Sequence, residues 1–192
     1  MSARLAAPHA DSYWIPRPEG VVAAGEYPGD LNPERAREKI AAILDAGITC
    51  FVDLTEHNEL RPYQPMLEHE ASARGVTIQH IRRPIRDMGV CGSAEMSATI
   101  ETIHAAVTSG QKVYVHCWGG VGRTGTVVGC WLVEQGMQPA DALAMVDTLF
   151  HTMSPAKVAR HPEGSPQTDA QRAVVRGWAR SVRKRGATAA DG

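Results

Sequence analysis

The ten residues from His116 to Gly125, His-Cys-Trp-Gly-Gly-Val-Gly-Arg-Thr-Gly, bring together a nucleophile, a glycine-rich turn and a guanidinium. They lie where a strand should end and a helix should begin. Glycine at 119, 120 and 122 lets the backbone aim its N–H groups at one centre, an arrangement that favours phosphate oxygens. A helix starting at Arg123 would add the positive end of its dipole. Cys117, at the head of the loop, would sit in the same field, which favours the thiolate, the attacking form of a cysteine. Arg123 can offer a planar pair of donors to two phosphate oxygens, which a lysine cannot do. The expected chemistry is nucleophilic attack on a phosphoryl group cradled by Trp118, Gly119, Gly120, Val121, Gly122 and Arg123.

Other readings of the same letters fit less well. Gly120-Val-Gly-Arg-Thr-Gly125 satisfies the G-x-G-x-x-G spacing of dinucleotide-binding turns. That fold needs a second strand ending in an acidic residue about 20 positions on. Here the next segment, Pro139 to Phe150, has helical periodicity and would place Asp147 inside a helix. A nucleotide-triphosphate loop fails because no lysine follows a suitably spaced glycine. A glycine-rich turn around an inert buried cysteine leaves the coincidence of Cys117 with Arg123 unexplained.

The elements that must position this loop follow from periodicity and punctuation. After an irregular opening, residues 20–24 read as a strand ended by the turn-forming 25–30. Asn32 caps a helix with Pro33 at its first position and Ile40, Ile43 and Leu44 on one face, and Gly47 stops it. The apolar, β-branched run 48–54 reads as a strand buried on both faces. A helix over about 63–74, a strand over 76–81, a helix capped by Ser93 and stopped by Gly110, and a strand over 112–116 come next. Helices over about 123–134, 139–150 and 168–184 close the chain, the last capped by Thr168 or Asp169. Alternating strands and helices imply an α/β fold, a three-layer sandwich whose central, mostly parallel sheet is flanked by helices.

The 192 residues read as one domain, with its core at about 13–185 and flexible termini. A formal charge of −1 argues against gripping the nucleic-acid backbone as the main task, so no nucleic-acid partner is expected. The basic cluster of Arg176, Arg180, Arg183, Lys184 and Arg185 reads as a solvated helix face. The longest apolar stretch, about 126–133, is too short to cross a bilayer, and the opening residues lack the apolar core of a secretory signal. A cytoplasmic protein with no membrane partner is the expectation. Cys50, Cys91, Cys117 and Cys130 form no CxxC pair and no finger spacing with histidine, so no metal or other cofactor is called for.

The pattern His116-Cys117-x-x-Gly120-x-x-Arg123-Thr124-Gly125 resembles the signature of the cysteine-dependent protein tyrosine phosphatase superfamily. The compact length is similar to the atypical dual-specificity branch of bacterial type, with a looser likeness from about Trp14 to Trp178. The resemblance implies a dual-specificity phosphatase-like sandwich and a two-step hydrolysis without metal. Cys117 would take the phosphoryl group as a phosphocysteine, Arg123 and the loop amides would hold its oxygens, and Thr124 would donate a hydrogen bond to the departing thiolate. A general acid is implied about 30 residues before the cysteine, where Asp87 stands. Asp53 and Glu56 are weaker acid candidates, and Glu56 is expected to line the pocket or pair with an arginine. Gln171 resembles a glutamine near the active site of bacterial relatives, where it would position water. His116 would order the loop rather than move a proton. Cys91 and Cys130 could protect an oxidised Cys117 by forming a disulfide, though core packing fits both better.

Trp118 either walls the substrate or packs beneath the loop. The loop holds none of the lysines with which lipid-directed relatives meet extra phosphates. A phosphorylated protein, with phosphotyrosine first and phosphoserine or phosphothreonine as further targets, is therefore the leading partner. A non-protein phosphomonoester (phosphoinositide, nucleotide or sugar phosphate) and a non-catalytic phosphate-binding module remain as alternatives. The oligomeric state is not legible.

Overall fold

The computed structural model describes residues 5–16 and 18–178. Its centre is a five-stranded sheet in the order β1-β2-β5-β3-β4. The strands are β1 (Ser12–Trp14), β2 (Val22–Gly25), β3 (Ile48–Asp53), β4 (Gln79–Arg82) and β5 (Lys112–His116). Only β1 runs antiparallel, pairing with β2 from Ser12↔Gly25 to Trp14↔Ala23, so the sheet is mostly parallel as the alternation implied. β3 and β5 are almost wholly buried, which explains why they carry continuous apolar runs and not an alternating pattern.

Helices cover both faces. On one lie α1 (Pro33–Asp45) and α2 (Gln64–Ala73). Ile40, Ile43 and Leu44 of α1 and Leu67 and Ala71 of α2 pack with Ala23, Phe51 and Tyr114 of the sheet. On the other lie α3 (Ser93–Thr108), α4 (Gly122–Glu134) and α5 (Pro139–Phe150). A short α6 (Pro155–Arg160) follows, and residues 169–178 form a further helix, α7. Val175 and Trp178 of α7 join the core between the sheet and α3, α4 and α5.

Several boundaries differ from those the sequence suggested, each for a local reason. Asn32 does cap α1, its Oδ1 accepting from the N–H of Glu34 at 2.9 Å. Ser93, expected as a cap, is instead the first helical residue of α3, because Gly92 supplies the carbonyl that Met96 N–H reaches at 3.0 Å. The strand expected over 76–81 is shifted to Gln79–Arg82, the residues that meet Cys50–Asp53 of β3. β1 lies in what read as an irregular opening, and α6 was not anticipated. Thr168 caps α7, its Oγ1 accepting from Gln171 N–H at 3.2 Å. Of the basic cluster only Arg176, exposed on α7, is within the described residues; Arg180, Arg183, Lys184 and Arg185 and the expected helical stretch beyond 178 lie outside them.

Candidate active site

β5 occupies the middle of the sheet, and its C-terminal end delivers Cys117 where the chain leaves for one face of the sheet, whereas β2 and β3 on either side lead into α1 and α2 on the other. Crevices at such switch points are the usual ligand sites of open parallel sheets. The loop turns through Gly120, whose φ is +75°, and enters α4 at Gly122. No side chain caps that helix and no acidic residue sits in its first turn, so its leading N–H groups keep their field for an anion. Gly120 is also a close approach: a Cβ there would overlap the backbone of Gly25 and lie 2.6 Å from Glu26 N. The back of the loop is pinned by Ser165, whose hydroxyl donates to Val121 O at 2.8 Å.

Cys117 is 2% exposed, Thr124 is buried, and Thr124 Oγ1 has no hydrogen-bond partner among the described residues. Arg123, also 2% exposed, is gripped on one side by Glu59: Nη1 donates to Oε2 at 2.8 Å and Nη2 to Oε1 at 2.7 Å. Nη1 also donates to Ile85 O at 3.1 Å. This bidentate grip fixes the plane of the guanidinium and holds the Glu59 carboxyl below its usual range. Asp87 reaches the same arginine, with Oδ1 2.8 Å from Nη2 and its side chain about half exposed at the mouth. The segment that carries Asp87 is itself tied down. Arg83 N–H donates to Asp53 O at 2.8 Å, Ile85 N–H to Leu54 O at 3.0 Å, and Gln171 Nε2 to Gly89 O at 3.2 Å.

Gln171 is fully buried and lies against Gly122, where a Cβ would meet both of its amide atoms at 2.9 Å. It therefore bridges the Asp87 segment and the phosphate loop from the head of α7. His116 stands beneath the loop, with Nδ1 3.3 Å from Cys117 O and Nε2 2.8 Å from Tyr63 Oη. A carbonyl only accepts, so Nδ1 carries the proton and Nε2 accepts from the tyrosine. Burial pushes His116 down to about 4, so it is a neutral strut near pH 7.

The structure corrects the reading of the second carboxylate. Glu56 is exposed and pairs with no arginine among the described residues; it is Glu59, three positions on, that holds Arg123. Sequence reasoning passed over Glu59 entirely, although it stands in the same loop. Asp53 is buried beneath the site and no acid for substrate: Arg82 reaches its Oδ2 through Nε at 3.2 Å and Nη2 at 2.9 Å. Trp118 does not pack beneath the loop; it is 59% exposed beside the mouth. Burial pushes the thiols of Cys50, Cys91 and Cys130 up, to about 11 for Cys50, as expected of packing cysteines. Asp147 lies within α5, as the argument against a dinucleotide fold required. Among the described residues no helix is long and apolar enough to cross a membrane.

The sequence matches, over residues 30–186, the family described as "PTP-SAK: Swiss Army Knife protein, DSP-PTPase phosphatase domain". It is 31% identical over 123 residues to "Putative tyrosine phosphatase 067L" of Invertebrate iridescent virus 3, covering 62% of this chain and 48% of the viral protein. The chain spans about half the length of the iridescent virus relatives it matches. Among solved structures it resembles Tk-PTP in its active form, with a TM-score of 0.62, 24% identity and coverage of 84% of this chain and 93% of the other. It also resembles PTPMT1 in complex with PI(5)P, with a TM-score of 0.65, 17% identity and coverage of 91% and 98%. The fold is thus that of the dual-specificity phosphatases. By its signature loop, its sheet order and a family match across most of its length, the chain belongs to the PTP-SAK family of dual-specificity phosphatase-like domains in the protein tyrosine phosphatase superfamily.

Proposed function

We propose that this protein hydrolyses phosphomonoesters through a phosphocysteine on Cys117, acting on phosphotyrosine in proteins first and on phosphoserine or phosphothreonine as further substrates. The observation that supports this most is the convergence on one guanidinium: Arg123, next to the Cys117 loop, is held rigid by Glu59 and lies 2.8 Å from Asp87. A phosphate seated in the loop replaces Asp87 on Arg123 and leaves that carboxyl beside the ester oxygen. In the first step the thiolate of Cys117 forms the S–P bond as the P–O bond to the leaving group breaks. Asp87, protonated, gives its proton to the departing oxygen. In the second, water attacks phosphorus, Asp87 takes a proton from it, and the thiolate leaves, stabilised by the buried Thr124 hydroxyl. In this reading Gln171, buried at the junction of both loops, orients that water. Arg123 and the uncapped N-terminal end of α4 hold the equatorial oxygens throughout.

The test is an aryl-phosphate assay without added metal, followed by a leaving-group series. Cys117→Ser should abolish turnover while phosphate still binds. Asp87→Asn should lose about 10²–10⁴-fold on tyrosine phosphate and much less on an activated phenol. Near wild-type turnover by Cys117→Ser overturns the nucleophile, and an equal loss across leaving groups overturns the acid. A phosphoinositide is the comparison substrate, since PTPMT1 was solved with one.

A further inference from the structure

Beside Cys117 a groove of about 390 Å³ opens between two of the segments that build the site. One wall is Trp118, which directly follows the nucleophile. The other is Leu60 and Arg61, which directly follow Glu59, the residue that grips Arg123. Tyr27 ties the two walls together: its N–H donates to Trp118 O at 2.9 Å and its hydroxyl to Arg61 O at 2.9 Å. Leu31 completes the lining and is 88% exposed. Exposed apolar side chains of this size, gathered beside a polar pocket, mark a surface that meets something.

The charges around the groove are almost all spoken for. Lys39 Nζ lies 3.0 Å from Glu26 and 3.7 Å from Asp30, and it also donates to the carbonyls of Tyr27 and Gly29. Glu26 is held a second time by Lys157 at 2.6 Å. Arg61 is the exception: it is exposed and has no carboxylate partner among the described residues. The groove therefore offers an apolar strip and one uncommitted cation. Anionic membrane surfaces are met by clusters of several free lysines and arginines. Here two carboxylates line the groove and most of the cations are neutralised, which favours a peptide over a bilayer.

We propose that this groove binds the substrate polypeptide on one side of its phosphorylated residue, seating an apolar side chain against Trp118, Leu31 and Leu60 and a substrate carboxylate on Arg61. The inference rests on the phosphoprotein reading above and adds a sequence preference to it. Because Trp118 in its wall directly follows Cys117, the groove meets the residues that flank the phosphoresidue in an extended substrate chain.

The test uses Leu31→Ser and Arg61→Ala, neither of which contributes to the phosphate cradle. The substrates are an aryl phosphate and two phosphotyrosyl peptides, one flanked by Leu and Glu and the other by Ser and Gly. Each variant should lower kcat/KM for the Leu/Glu peptide by about fivefold to tenfold. Turnover of the aryl phosphate and of the Ser/Gly peptide should stay unchanged. Arg61→Glu should turn the preference from a Glu-flanked to a Lys-flanked peptide. Equal turnover of both peptides by the wild-type protein overturns the proposal. So does a loss shared by the aryl phosphate, or one confined to a phosphatidylinositol phosphate in vesicles. Binding of the two peptides to Cys117→Ser separates this failure from that of the wider reading. Equal affinities overturn the groove whatever the turnover, whereas a retained preference without any turnover overturns the phosphatase reading alone.

Discussion

Arg123 concentrates the energetics of the site in one side chain. Burying a guanidinium is costly unless it is both paired and hydrogen-bonded, and Glu59 meets both conditions while leaving another edge for substrate. Glu59→Gln keeps the shape and removes the charge, so Arg123 should lose its fixed plane. The expected fall in kcat/KM on an aryl phosphate is roughly tenfold to 10²-fold, from about 1.5–3 kcal/mol for a hydrogen bond to a charged group. Wild-type kinetics in that variant would show that the loop alone orients the arginine. That Cys117, Arg123 and Asp87 come together was legible because their spacing along the chain is short or fixed by the family pattern. Glu59 was not, because its contact with Arg123 spans 64 positions and nothing local separates it from Glu56. Only the fold decides which of the two faces the pocket.

The phosphate loop works as an element because its glycines are not equivalent. Gly120 combines a positive φ with a backbone neighbour too close for any side chain, whereas the nearest atom to a Cβ on Gly119 is Val121 Cγ2 at 3.7 Å. Gly119→Ala should therefore keep kcat/KM within about twofold of wild type, in line with the small effect of most substitutions that leave packing intact. Gly120→Ala should push the loop off β2 and lose most turnover. Similar kinetics for the two variants would mean that the loop relaxes freely and that its conformation is not set by the contact with Gly25 and Glu26. The long helices were legible from their apolar spacing, the buried strand β3 from its continuous apolar, β-branched run, and β5 as a short buried strand. β1 and α6 have three and six residues, too few to show a period, and both are defined by what they pack against. β4 was misplaced because an edge strand starts where its neighbour offers partners.

At the scale of the whole molecule, the polar layer under the loop ties stability to pH. Burial holds His9 and His116 down to about 4, against an ordinary value of about 6.5. As pH falls from 6.5 towards 4 the unfolded chain binds protons that the folded chain refuses, so stability is full above this window and is lost within it. The melting temperature should be lower at pH 5 than at pH 7.5 by about 5 °C or more. His9→Asn, remote from the phosphate cradle, should remove part of the difference. A melting temperature that is flat or rises on acidification would contradict the burial of these rings. None of this was visible in a near-zero net charge, which counts charges without saying which are buried. The sheet order has a consequence in time as well as in space. β5 slots between β2 and β3, both of which precede it in the chain, and the cradle hangs from its far end. Until β5 is inserted, β2 and β3 have no strand to join them in the sheet, and phosphate has no seat. Turnover cannot begin before β5 is inserted and the loop and helix that follow it are formed, so the onset of activity during refolding reports the completion of the middle of the sheet.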